Sequence, residues 1–124
     1  MKENYKAFDV VYVDFGKVEF AGEQGGIRPA VIVQNSMGNL HSPTTIVIPF
    51  TTQIKHLNQP THSLIEKGKG KGIMADSMLL GECLRQVSEK RIKCKLGHLS
   101  SLEDKKEIKR VYDANFEAEW EVTI

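Results

Sequence analysis

Apolar positions come in short runs separated by turn-forming residues as far as about residue 100, and beyond that point they recur at helical spacing. Residues 8–15, Phe-Asp-Val-Val-Tyr-Val-Asp-Phe, are rich in β-branched and aromatic side chains and predict a strand buried on both faces for much of its length. A polar, glycine-bracketed loop at 16–26 follows, then a second strand at 28–34. Residues 35–43 form turns, with room for at most one short helical turn. The third strand is 44–51; Pro49 cannot donate to a ladder, so it marks an edge, a bulge or a strand end and leaves Thr51 and Thr52 at a rim. A short strand at 61–66, a flexible basic loop at 67–72, one or two strands within 74–87 and a turn of helix at 88–92 come next. Ser100 opens the helix, with Glu103 as the third residue of a capping box. Ile108, Val111, Tyr112, Phe116 and Trp120 make its apolar stripe, which belongs to the core or to a subunit contact. Many short strands and one terminal helix predict an α+β fold that is mainly β, a small barrel or curled sheet capped by helix.

Size and composition narrow the class. A chain of 124 residues is read as one domain spanning 1–124, long enough to bury roughly two-thirds of its unfolded surface. No apolar run approaches the ~18 residues of a membrane span, and the first residues carry no apolar signal segment, so a cytoplasmic protein without membrane contact is expected. Cys83 and Cys94 lack metal-type spacing and are expected to be reduced thiols. The net charge of +1 hides an asymmetry: residues 53–98 hold nine Lys/Arg against four Asp/Glu, and the remainder eight against twelve. A basic middle suits an anionic partner, and ordinary solvated charge would produce the same count.

Candidate chemistry concentrates at Gly22-Glu23-Gln24-Gly25-Gly26-Ile27-Arg28-Pro29. Three glycines in five positions permit positive φ and close approach of a partner. Pro29 keeps Arg28 out of the α region, so a fork of five donors stands on a stiffened, extended backbone. The bland alternative is a glycine-rich hairpin loop with one exposed arginine. Lys67-Gly68-Lys69-Gly70-Lys71-Gly72 lacks the Gly-Lys-Ser/Thr ending and following helix of a P-loop, and is read as a mobile hairpin tip. His41, His56, His62 and His98 all lie outside the Arg28 motif and are read as surface or hydrogen-bonded structural residues, His62 in particular. Asp9 and Asp14 are five residues apart on a strand, hence on opposite faces, and are read as strand-end solvation or backbone hydrogen bonding. No metal and no cofactor is expected.

Glu23-Gln24-Gly25-Gly26-Ile27-Arg28-Pro29 is followed in order by Val33-Gln34-Asn35, Ser42-Pro43-Thr44, Thr51-Thr52-Gln53-Ile54, Pro60-Thr61-His62, Asp76-Ser77, then Glu82, Arg85 and Arg91-Ile92. In this order and spacing, from about residue 9 to 98, the chain resembles the MazF/PemK family of toxin endoribonucleases. The resemblance implies an SH3-like (PemK/CcdB-like) barrel, a homodimer, metal-independent cleavage of single-stranded RNA at a short sequence, and inhibition by a cognate antitoxin. It implies catalytic roles for Arg28 and Thr51. Glu23 and Gln24 fall in the loop that closes over substrate, and Gln53, Ser77 and Glu82 match positions near the RNA groove. Cys83 replaces a glutamine that lies close to the bound bases in relatives. Phe8 stands where a glycine is usual, Asn58-Gln59 replaces a more basic stretch, and the tail at 117–121 is longer than usual.

The chemistry fits these residues unevenly. Attack by the RNA's own 2′-hydroxyl needs a base, an acid, and stabilisation of a pentacoordinate phosphorane. Arg28 suits the last task, because its planar fork can hold two phosphate oxygens. Thr51 can donate to a non-bridging oxygen but is a poor base. Glu23 and the histidines are the candidates for the base, and the choice stays open. Three functional classes are compatible with the sequence: a ribonuclease toxin, a CcdB-like poison that grips DNA gyrase, and an RNA-binding module without cleavage.

Overall fold

Seven strands and two helices carry residues 4–22 and 24–117, the part of the chain that the computed structural model describes. The strands are β1 (Asp9–Asp14), β2 (Ile27–Ile32), β3 (Thr44–Thr51), β4 (His62–Ile65), β5 (Ser77–Leu80), β6 (Arg85–Ser88) and β7 (Ile92–His98). Helix α1 (Ser36–His41) links β2 to β3, and α2 (Leu102–Ala114) follows β7. All pairings are antiparallel, in the order β4-β5-β3-β2-β1-β7, with β6 also paired to β3.

β3 is the hub. Its first half, Thr44 to Val47, pairs with β6, while Phe50 and Thr51 pair with β5. Pro49 falls in the interval where β3 changes partner, a position that tolerates a missing donor. The sheet curls around two apolar clusters, one on each face. Val10, Val31, Ile48, Phe50, Leu79, Ile108 and Val111 share the cluster under α2, and Val11, Val13, Ala30, Ile32, Val47 and Val87 share the other. β1 therefore buries both faces, as its composition predicts.

Several expectations need correction. β7 has no counterpart in the sequence reading, because Lys93, Cys94 and Lys95 are exposed and Ile92 alone of its side chains is buried. Lysines on a strand with one neighbour are a common guard against edge pairing, and they erase the apolar alternation. Residues 74–87 resolve into β5 and β6, separated by a 3-10 turn at Gly81–Cys83. A Cβ on Gly81 would lie 2.6 Å from the Thr61 carbonyl oxygen and 3.0 Å from that of Val111, so this turn requires glycine. The expected helical turn near residue 90 is a 3-10 turn, Glu89–Arg91, capped by the Ser88 hydroxyl. In α2 the N-cap is Ser101, not Ser100: its hydroxyl accepts from Asp104 N at 3.1 Å, so Asp104 rather than Glu103 is the third residue.

Ile108 and Val111 are buried, whereas Tyr112 and Phe116 are 37% and 57% exposed and stack on each other with centroids 5.2 Å apart. Trp120 and most of the tail lie outside the described residues. The basic loop is less free than expected. Gly70 O accepts from His98 N at 3.0 Å, and Lys71 pairs with Asp104 at 3.0 Å.

Phe8 adopts φ 72°, the left-handed region that glycine occupies without cost. The glycine usual at this position in the resembled family thus has a conformational reason, and Phe8 meets the same requirement with strain. Asp14 accepts from Gly16 N at 2.9 Å, a backbone bond as read. Asp9 accepts from Lys6 N at 2.9 Å, the backbone bond of the reading, but it is fully buried rather than solvated, 2.7 Å from His98 Nδ1 and 3.3 Å from Lys95 Nζ.

Candidate active site

The β1–β2 loop is closed at its base by two backbone bonds, Gly26 N to Gly16 O at 2.8 Å and Phe15 N to Gly26 O at 2.9 Å. Gly25 is wedged inside it. A Cβ there would sit 2.2 Å from Val18 Cγ2 and 3.1 Å from Gly16 O, so only glycine lets the chain pass. The Gly25 carbonyl accepts from Arg28 Nε at 3.2 Å, and Gln24 Oε1 accepts from Arg28 Nη1.

Strand pairing brings Thr51 to Arg28. Ala30 lies opposite Pro49, and carrying that register two residues on sets Arg28 level with Thr51 at the strand ends. A cleft of about 250 Å³ opens there, lined by Arg28, Pro29, Phe50, Thr51, Thr52, Gln53 and Ser77. Four residues singled out in the sequence, Arg28, Thr51, Gln53 and Ser77, thus share one cleft. Thr51 Oγ1 accepts from Gln53 N at 3.1 Å, which leaves the hydroxyl proton to be donated elsewhere. Ser77 spends its proton on Ala75 O at 2.8 Å, so it can offer the cleft lone pairs.

Gln24, Glu82 and Cys83 assemble in a second cleft of about 370 Å³, together with Gly22 and Arg85. Arg85 also lies 5.5 Å over the Phe15 ring. It stood in the sequence motif without an assigned role, and its strand position next to the turn at residues 81–83 is what brings it here. Glu82 is heavily committed inside the protein. Its Oε2 lies 2.6 Å from Gln59 Nε2, 3.2 Å from Thr61 Oγ1 and 2.7 Å from His62 Nε2. His62 is buried and also contacts His56 O at 3.0 Å through Nδ1. The pair ties the segment before β4 to the turn after β5, which agrees with a structural histidine.

Burial, and secondly the neighbouring Glu82 charge, push the Cys83 thiol up from its ordinary pKa, opposed by a hydrogen bond from Gln24 and the charge of Arg28. A thiol held neutral is a weak donor and a weaker acceptor. Among the described residues neither cleft is lined by a histidine, and no three His, Cys, Asp or Glu gather as a metal site would require. Glu23 lies outside the described residues.

Arg28 and Thr51, the two residues to which the resemblance gives catalytic roles, thus line one cleft beside a glycine-wedged loop. The sequence profile of PemK-like, MazF-like toxins of type II toxin–antitoxin systems matches residues 6–112. The chain belongs to this family. It is similar to a Staphylococcus saprophyticus protein named endoribonuclease MazF, 44% identical over 106 residues that cover 86% of this chain and 83% of that one. Its fold is that of solved MazF-type toxins. An endoribonuclease in complex with its cognate antitoxin from a mycobacterial species superposes with a TM-score of 0.74 at 16% identity, covering 94% of this chain and 98% of that one. MazF from Deinococcus radiodurans gives 0.73 at 16% identity, over 92% of this chain and 97% of the other. These likenesses place the curled antiparallel sheet with its C-terminal helix in the MazF fold.

Proposed function

We propose that this toxin is an endoribonuclease that cleaves single-stranded RNA at a short sequence, without a metal, and that it acts as a cytoplasmic homodimer silenced by a cognate antitoxin. The observation that carries the reading is the Arg28–Thr51 pair across one cleft. In the reaction the 2′-oxygen forms a bond to phosphorus and loses its proton to a base, while the bond to the 5′-oxygen breaks and that oxygen takes a proton. Charge accumulates on the non-bridging oxygens between these events. Arg28 meets that charge with a fixed cation and Thr51 with its available hydroxyl proton, both on strand ends that need no rearrangement. Neither residue is suited to remove the 2′ proton. A poison that grips a protein target needs no such pair, and the endoribonuclease name of the 44% identical relative supports cleavage.

The test is a long single-stranded RNA incubated with purified protein and excess EDTA, then with saturating antitoxin. Cleavage at one recurring short sequence, indifferent to EDTA and abolished by antitoxin, is expected. Intact RNA throughout would overturn the reading, and activity that EDTA removes and Mg²⁺ restores would overturn metal independence. Sedimentation should give twice the 13.9 kDa of one chain, and a monomer at micromolar concentration would sink the dimer.

RNA bases are expected to be read in the second cleft, by way of Cys83. A glutamine amide there both donates to and accepts from a base edge, and replacing it with a neutral thiol removes a hydrogen bond worth roughly 0.5–1.5 kcal/mol. Cys83→Gln should therefore shift the preferred base at one substrate position at a similar overall rate. Identical cut-site maps for the two proteins would leave Cys83 as a packing residue.

A further inference from the structure

We propose that Gln24 is a positioning residue, which acts on cleavage by aiming Arg28 rather than by touching RNA. The inference deepens the endoribonuclease reading and rests on it. A guanidinium has donors and no acceptor, so the end of the Gln24 amide that faces Arg28 Nη1 has to be its oxygen. The amide nitrogen is then turned away from Arg28, in the cleft that Gln24 shares with Cys83.

The geometry does more than hold a charge nearby. Nε and Nη1 point to different sides of the planar fork, and each has its own acceptor, Gly25 O at 3.2 Å and Gln24 Oε1. Two acceptors on different nitrogens fix the plane of the group, where one would leave it free to pivot. The acceptors come from consecutive residues, and the second of them is wedged against Val18 and Gly16 O, so the distance between them is set by the loop. At the other end of the side chain, the backbone of Arg28 is held extended in β2 by Pro29. Loop and strand together act as a clamp.

Loss of Gln24 leaves Arg28 charged and in place but free to turn about its remaining bond. A turned guanidinium still attracts the singly charged diester of bound RNA, so KM should change little. It fails to match the oxygens of the more highly charged phosphorane, so kcat should fall. Misplacement of a catalytic group by about 1 Å can cost roughly 100-fold, and a pivot about one retained bond is a lesser fault.

Gln24→Leu should lower kcat by about 10- to 100-fold, with KM within about twofold and an unchanged cut-site map. Gln24→Glu keeps an acceptor for Nη1, so it should restore most of kcat while raising KM through its negative charge. A second readout is independent of turnover. The Arg28 Nε–H resonance should be sharp and slow to exchange in the wild type and in Gln24→Glu, and exchange-broadened in Gln24→Leu. A wild-type kcat in Gln24→Leu, with raised KM or altered cut sites, would overturn the proposal and make Gln24 a substrate contact. An Arg28 resonance unchanged in Gln24→Leu would also overturn it. If wild-type protein leaves RNA intact, it is the endoribonuclease reading that fails, and the resonance still reports on the clamp.

Discussion

Arg28→Ala is expected to lower RNA cleavage by roughly 10²–10³-fold, the usual cost of removing one preorganised donor to a developing oxyanion. The guanidinium is part-buried, and its contacts are the Gln24 and Gly25 acceptors of its own loop rather than anything in the core. Alanine at position 28 should therefore leave the thermal midpoint nearly unchanged. Single-turnover cleavage beside a melting curve separates the two effects. Thr51→Ala should act in the same direction by about tenfold or less, since a neutral hydrogen bond is worth roughly 0.5–1.5 kcal/mol. Both residues serve the same charge on the same phosphorane, so the double variant should lose less than the product of the single losses. Near-wild-type cleavage by Arg28→Ala would remove the arginine from the mechanism.

The family resemblance named Arg28 and Thr51 together, and the reason they meet is physical, whereas the clamp left no mark in the sequence. Pro29 and Pro49 punctuate two apolar runs, and antiparallel register sets the ends of those runs level. Residues 23 positions apart thus become neighbours through local rules alone. The clamp depends on Gly25 passing within contact of Val18 and Gly16, a matter of loop shape that periodicity does not encode. Glu82 shows the same limit. Its commitments to Gln59, Thr61 and His62 span 20 to 23 residues and make it a tie between segments as well as a residue lining the second cleft. β3 emerged with its predicted bounds because all eight of its residues are buried or half-buried, whereas the lysines of β7 conceal a strand that exists by virtue of its pairing to β1. The helix start missed by one residue where two serines stand in a row, and the choice of Ser101 puts Asp104 where it can meet Lys71.

The largest expected effect on stability concerns Asp9. Its carboxylate is fully buried and held by His98, Lys95 and the Lys6 amide, so β1, β7 and the segment before β1 meet at one charge. The partners are unlike it in one respect: the His98 and Lys95 side chains are 37% and 45% exposed. Removing the acid therefore strands no buried charge, because the Lys95 and His98 side chains can both turn to water. Removing both side-chain partners strands the acid. Lys95→Ala with His98→Ala should cost about 3–5 kcal/mol, the range seen when a buried ion loses its counter-charge. Asp9→Ala alone should cost less, about 1–3 kcal/mol for the unsatisfied Lys6 amide and the lost bonds. Adding Asp9→Ala to the double variant should then recover stability, since the stranded charge disappears with it. Urea unfolding checks the order, with an unchanged m-value showing that the midpoints report stability. If the three costs simply add, the buried carboxylate is not the centre of the network, and the pairing of β1 with β7 holds that corner without it.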